Sequence, residues 1–279
     1  MKRRAVLLTL LALCLLLALA LAACGGHAPA SSSSPAPTPS AQGSDSSGAS
    51  DASGGTSGAA AATAPSSGSA PSTPAESYQK YIEMKGNAYD LISGKINDHQ
   101  ELALSAGMAL LPVVMTDLAL IPLTIIGTQG GEAALSFLGM TGVQIAQNGN
   151  TYTITYSDSQ GENMTQTCEY DAATDSLQSV ISTSGESEDS LQFEYTRCGS
   201  GYASQYSTLN KDSNDYTLIQ MYFDADNNVA IGIQTVTSEP ASIFKQTGLT
   251  ADFPRNDSSY FLLQGDQLAI CTDGATTTY

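Results

Sequence analysis

The sequence predicts an α+β domain: N-terminal helices packed on one face of a curved antiparallel β-meander, preceded by a signal peptide and a disordered linker. Three observations predict it. All 13 Tyr and all six Phe fall after residue 76, so the core lies there. From residue 77 to about 140 the apolar residues recur at three- and four-residue spacing or run unbroken, as helices require. From Val143 the period becomes two, as one-sided strands require. The expected divisions are 1–23 (signal peptide), 24–76 (tether) and 77–279 (one domain, mainly helical over 77–140 and mainly β over 141–279).

Composition narrows the function classes. The chain has 279 residues, 13% of them charged, with no Trp, two His and a net charge of −17. Nothing here can neutralise a run of phosphates, so a nucleic-acid partner is not expected. Lys2, Arg3 and Arg4 leave with the first division, taking the basic count from 10 to 7 against 27 acidic residues, a net of −20. The acids are spread along the chain, as on a solvated surface that resists association. An acidic face for a cationic partner or divalent metal is the other reading.

Met1-Lys2-Arg3-Arg4 is a charged start, and Ala5 to Ala20 is Leu/Ala-rich and uncharged. Leu21-Ala22-Ala23-Cys24-Gly25 follows. This segment resembles the lipobox of bacterial lipoproteins, with Leu at −3, small residues at −2 and −1, and Cys at +1. The resemblance covers about the first 25 residues. It implies a signal peptide of the signal peptidase II type, cut between Ala23 and Cys24, with Cys24 diacylglycerylated and labelled by palmitate. A diacylglyceryl group supplies the two chains that stable anchoring needs. The alternative is an uncleaved membrane helix, since Ala5–Ala23 is long enough to span a bilayer. Cys14 reads as a small hydrophobe in either case. Both readings place the rest of the chain outside the cytoplasm.

From Gly25 to Glu76 all residues but His27, Gln42, Asp45, Asp51 and Glu76 are Ser, Ala, Gly, Pro or Thr. With no aromatic, Leu, Ile or Val, such a stretch cannot offset its chain entropy by burial, so disorder is expected. As a flexible coil it spans about 40 Å. That reach suits work at or beyond a thick wall, which favours a Gram-positive cell surface.

Residues 77–97 read as an amphipathic helix, with Tyr78, Tyr81, Ile82, Ala88, Tyr89, Ile92 and Ile96 on its stripe. Lys80, Glu83 and Asp90 lie off it. Leu102 to Gly127 holds one charge, Asp117, and two prolines, Pro112 and Pro122. Divided at the prolines, it gives helices over about 98–110 and 112–121. Helices apolar on every side belong in a core. Membrane insertion, a partner-binding hairpin or a ligand-lining helix are the alternatives. Asp117 is read as a half-buried, hydrogen-bonded residue or a polar anchor in a pocket. A short helix over Glu132–Leu138 is expected next.

The strands are marked by alternation over 151–156, 164–170, 191–196 and 229–233. The joints are turn chemistry at Asn148–Asn150, Asp158–Gly161, Asp171–Asp175, Ser184–Asp189 and Asp224–Asn228. About eight to ten strands are expected.

Candidate chemistry is sparse. Asp224-Ala225-Asp226-Asn227-Asn228 spaces oxygen ligands as a calcium loop does, but Val229 and Thr235 stand where Gly and Glu are needed, so a hairpin turn is the better account and no metal or cofactor is expected. No bond is predicted among Cys168, Cys198 and Cys271, because a strand lies between the first two. The domain's one histidine, His99, leaves Ser or Cys nucleophiles without an evident base, and no Gly-x-Ser-x-Gly or phosphate loop is present. No catalytic residue is assigned. The leading expectation is a non-enzymatic, lipid-anchored surface protein that binds a surface protein partner or contributes to envelope structure. An alternative is a carrier for a lipid or other apolar ligand in a sheet–helix cavity, an outline similar to periplasmic lipoprotein carriers. A carboxylate-dependent hydrolase is the third, since any two of the many acids can meet in space.

Overall fold

The computed structural model describes residues 71–126, 135–136, 138–183, 191–256 and 258–279. The expected signal peptide, Ala23 and Cys24, the tether up to residue 70 and most of the Glu132–Leu138 helix lie outside them. Among the described residues the chain is α+β and mostly β, with two α-helices, one 3-10 turn and an open antiparallel sheet of eleven strands.

Helix α1 spans Pro74–Asn97, three residues earlier than the apolar stripe alone indicates. The cause is a capping box. Thr73 Oγ1 accepts the amide of Glu76 at 3.2 Å, Glu76 Oε2 accepts the amide of Thr73 at 3.3 Å, and Pro74 presets the first turn. The last six residues expected to be disordered, 71–76, are therefore ordered; the Pro71 carbonyl also accepts the Tyr170 hydroxyl at 3.1 Å. Tyr78, Tyr81, Lys85, Ala88, Ile92 and Ile96 form the buried face of α1. Gly86 lies on the exposed side, with nothing within 4 Å of where a Cβ would sit. Gly86→Ala is expected to stabilise the domain by about 0.5–1 kcal/mol, because it removes backbone freedom from the unfolded chain without a clash. Thermal unfolding of the two proteins checks this.

Helix α2 spans Gln100–Ala119 as one piece; the expected break at Pro112 does not occur. Pro112 is on an exposed face, so the carbonyl of Met108 that loses its partner faces water. The second proline, Pro122, sits instead in a 3-10 turn, Ile121–Ile125. The burial expected of this apolar helix is also corrected. Only Ala106, Leu110 and Val113 of α2 are buried. The space next to the sheet is filled by the rings of α1, which leaves α2 one narrow stripe of contact.

The strands run β1 (Thr141–Asn148), β2 (Thr151–Ser157), β3 (Asn163–Asp171) and β4 (Ser176–Thr183). They continue as β5 (Leu191–Cys198), β6 (Gly201–Asn210), β7 (Asp215–Phe223) and β8 (Val229–Val236). The last three are β9 (Ser259–Gln264), β10 (Gln267–Thr272) and β11 (Ala275–Thr278). Each pairs with its neighbours in chain order, so the sheet is a pure meander. The turns expected at Asn148–Asn150, Asp158–Gly161, Asp171–Asp175 and Asp224–Asn228 supply joints, with Gly149, Gly161, Asp175 and Asn227 in the left-handed region at φ of 61°, 80°, 48° and 62°, while the one expected at Ser184–Asp189 lies outside the described residues.

One face of the sheet carries Phe193, Tyr195, Tyr202, Tyr206, Ile219, Met221, Phe223, Val229 and Ile231 against the helices. The opposite face is crossed by the long connection from β8 to β9. A single rung across six strands holds that connection: Glu169, Gln178, Glu194, Gln205, Gln220 and Gly232 are register neighbours. Glu194 accepts Ser242 Oγ at 2.6 Å and the amide of Ile243 at 2.7 Å. Gln205 Nε2 donates to the Ala241 carbonyl at 2.9 Å. Cys168 on β3 and Cys198 on β5 are separated by β4, and with Cys271 on β10 they are buried free thiols, as the spacing argument expects.

Candidate functional site around helix α2

Tyr81 stands at the centre of the helix–sheet interface. It stacks on Tyr195 with ring centroids 4.7 Å apart and 7° between planes, and meets Tyr202 edge-on at 5.8 Å. Phe193 and Phe223 close the cage at 5.7 and 5.6 Å. Geometries of this kind add about 0.5–1.5 kcal/mol per pair beyond simple burial. The interface is thus filled by rings.

Two buried polar knots pin α1 to its surroundings. In the first, Ser77 hydrogen-bonds the Asp175 carboxylate and lies 2.7 Å from the Tyr195 hydroxyl, while the Tyr202 hydroxyl donates to Asp175 Oδ2 at 2.8 Å. Arg197 is 3.8 Å from the same carboxylate. In the second, Lys85 Nζ donates to Asp117 Oδ1 at 2.5 Å, to the Tyr206 hydroxyl at 2.9 Å and to the Val113 carbonyl at 3.4 Å. The Tyr81 hydroxyl reaches Ser204 Oγ and the Tyr206 hydroxyl, both at 3.0 Å. Burial pushes the Lys85 ammonium below the usual lysine range, against the opposing pull of Asp117. Burial raises the Tyr206 hydroxyl well above its ordinary value, and Tyr81 and Asp117 nearby add to this.

Asp117 is therefore the half-buried, hydrogen-bonded residue of the first reading, joining α2 to α1. Its partner Lys85 does not stand out in the sequence, although it lies four residues after Tyr81 and three before Ala88. A charge on an apolar stripe was the available signal. Asp117→Ala should cost about 2–3 kcal/mol, less than the 3–5 of a fully enclosed pair because the Asp117 side chain is 41% exposed. The deficit should shrink as pH rises from 7 towards 10. Losing Asp117 removes the attraction that holds the Lys85 pKa up against burial, so in the variant it lies further below the unfolded value of 10.5 than in the native chain; as pH rises towards that value the variant gains more stability than the native chain does. Urea unfolding at several pH values checks both statements, and Lys85→Met with Asp117→Leu should be nearly neutral.

Open clefts flank α2 on both sides. One, of about 380 Å³, lies between Pro112, Met115, Thr116 and Ala119 of the helix and Leu191, Tyr206 and Ile219 of the sheet. The other, of about 350 Å³, runs between Leu102, Ala106 and Ala109 and the strands β9–β11, with Phe261, Ile270 and Tyr279. The side of α2 turned away from the protein exposes Leu104 (80%), Met108 (60%), Val114 (43%) and Leu118 (50%). Glu101 and Asp117 are the only charges on this helix.

The other sequence candidates resolve locally. Asp224 forms a hairpin turn, its Oδ1 accepting the amides of Asp226 and Asn228 at 2.9 and 3.0 Å and its Oδ2 accepting Asn228 Nδ2 at 2.9 Å. No group of residues with metal-ligand spacing occurs among the described residues. A polar cleft on the opposite sheet face holds two acids, Glu194 and Glu239. Glu194 uses both oxygens to hold the β8–β9 connection, and Glu239 accepts Gln192 at 3.3 Å. His99 precedes α2, with its ring 5.1 Å from that of Tyr279. Comparison with protein-family models, curated proteins and solved structures finds no match, so the reading of the site rests on its own geometry.

Proposed function

We propose that this chain is an exported lipoprotein of the cell surface, held in the membrane by a diacylglyceryl group on Cys24, whose domain is a non-enzymatic binding module working through α2. The observation that supports binding is the solvent exposure of Leu104, Met108, Val114 and Leu118 on a helix of almost unbroken apolar composition. On so acidic a chain, contiguous apolar surface is out of character with the rest, and such patches mark interaction sites. The order of signal peptide, tether and domain gives that helix a place outside the cytoplasm, at a Gram-positive surface in the favoured reading. Metabolic labelling with palmitate tests the anchor. Cys24 is expected to carry the label, and Cys24→Ser to release the chain from the membrane; a serine variant still retained there overturns it.

A second reading is a carrier of a lipid or other apolar ligand. The clefts on both flanks of α2 favour it, since each is of the size that takes small molecules. The thin contact of α2 with the core also makes it the element that would yield to admit more. Native mass spectrometry of the purified chain separates the two: bound lipid supports the carrier, and an unliganded mass supports contact through the outer face alone.

A further inference from the structure

The occupant of the outer face of α2 follows from its chemistry and from where the chain is held. Leu104, Met108, Leu111 and Leu118 follow one another by four, three and seven residues, so they line one side of the helix. No charged residue lies between Leu102 and Thr116. The opposite side of α2 is fixed to the domain through Val113, Leu110 and the Lys85–Asp117 pair, so the helix can rest on a surface but cannot leave to span one.

Two occupants compete, a second copy and a lipid surface. The exposed side chains of Leu104, Met108, Val114 and Leu118 together offer on the order of 400 Å², about half of what one partner contributes to a standard-size protein interface. Two copies of net charge −20 also repel each other. A bilayer asks for no complementary shape, and the chain is already tied to one, so even this modest apolar area suffices. Between Cys24 and Pro71 lie 46 residues, whose composition predicts a flexible coil, and a coil of that length would reach about 40 Å. The tether joins the domain at Pro74, and Lys85, which holds Asp117 of α2, is eleven residues further along α1, a rise of about 17 Å. A domain confined so close to a surface meets it at high effective concentration, which makes a weak apolar contact sufficient.

We propose that α2 docks the domain on the bilayer that carries its anchor, with Leu104, Met108 and Leu118 seated among the lipid chains; this rests on the lipoprotein reading of Cys24. The contact is apolar and not electrostatic. It holds on zwitterionic lipid in high salt and weakens on anionic lipid at low salt, where the acidic domain is repelled.

The absence of Trp from the chain provides a clean probe. Met108→Trp puts a single indole on the outer face, and Asp212→Trp puts one in the exposed β6–β7 turn as reference. The lipidated full chain is placed in phosphatidylcholine vesicles containing brominated lipid. The expected result is a blue-shifted emission and at least a twofold quenching at position 108, with neither at 212. Adding Leu104→Gln and Leu118→Gln, both at exposed positions, is expected to abolish the quenching. Solvent-like, unquenched emission at 108 from chain that floats with the vesicles overturns the docking and leaves the anchor standing. A blue shift without quenching, accompanied by cross-linked dimers, overturns it in favour of a second copy. Chain that incorporates no palmitate overturns the anchored reading, and the docking with it.

Discussion

Raising the pH past 10 is expected to unfold this domain in one cooperative step. Tyr78, Tyr81, Tyr195 and Tyr206 are buried, and burial pushes each hydroxyl well above the ordinary tyrosine value of 10.0. Tyr170 and Tyr222, less enclosed, are pushed up to about 12. Below pH 10 the folded and unfolded chains hold these protons alike, so the stabilisation is complete. Above it the unfolded chain releases them while the folded one keeps them, and stability falls. One pH unit beyond 10, four fully buried hydroxyls together cost about 5 kcal/mol, comparable to the whole stability of many domains. Tyrosinate absorbance and circular dichroism should therefore change together. A smooth titration of all tyrosines near 10 with the dichroism intact would show that the ring cage is open to solvent. Tyr81→Phe keeps the stacking while removing one of the four protons, so its transition should be less steep and less stable at neutral pH by about 1 kcal/mol, from the bonds to Ser204 and Tyr206.

Gly232→Ala is expected to be one of the two most damaging single methyls in the domain's sheet, beside Gly201→Ala, whose Cβ would stand 1.9 Å from the Phe223 carbonyl oxygen. A Cβ at Gly232 would stand 1.8 Å from the Pro254 carbonyl oxygen, 2.8 Å from its carbon and 2.9 Å from Asn256 Nδ2. These are atoms of the β8–β9 connection, whose backbone is held in place by Asn256 bonds to Pro254 and Ser259. The connection must lift away, exposing the buried side of Ala230 and breaking its hold on the rung. A loss of about 3 kcal/mol is expected, at the upper end of overpacking costs, with a fall in Tm of roughly 10 °C. Gly248→Ala in the same connection has nothing within 4 Å and should be close to neutral. If both variants melt alike, the connection does not lie against β8.

Much of the architecture was legible because it rests on period and turn chemistry. The stripe from Tyr78 to Ile96 gave α1, the alternation from Val143 gave strands, and Gly149, Gly161 and Asp224 sat at real joints. Three features were not legible, each for a physical reason. The start of α1 depended on the exchange between Thr73 and Glu76, a local device hidden in a low-complexity stretch. The exposure of α2 could not be read from its composition, because apolar residues on every side say nothing about how much surface the sheet has left to cover; Tyr81 and its neighbours had already taken it. The Lys85–Asp117 pair spans 32 residues, and the row from Glu169 to Gly232 exists only once six strands are in register. Asp117 stands out in the sequence as the one charge in an apolar run, but nothing local marks Lys85 as its partner.

A strictly sequential sheet also dictates the order in which the molecule can assemble. Every strand pairs with the one just before or just after it in the chain, so hairpins can close in order as the chain emerges, with little loop to draw in. The helices behave oppositely. Tyr81 is separated by 123 residues from Ser204, the serine that receives its hydroxyl, so α1 and α2 are complete long before their seat exists. The oldest part of the domain is thus the last to be housed, and its rings stay unsheltered until β5 to β7 arrive.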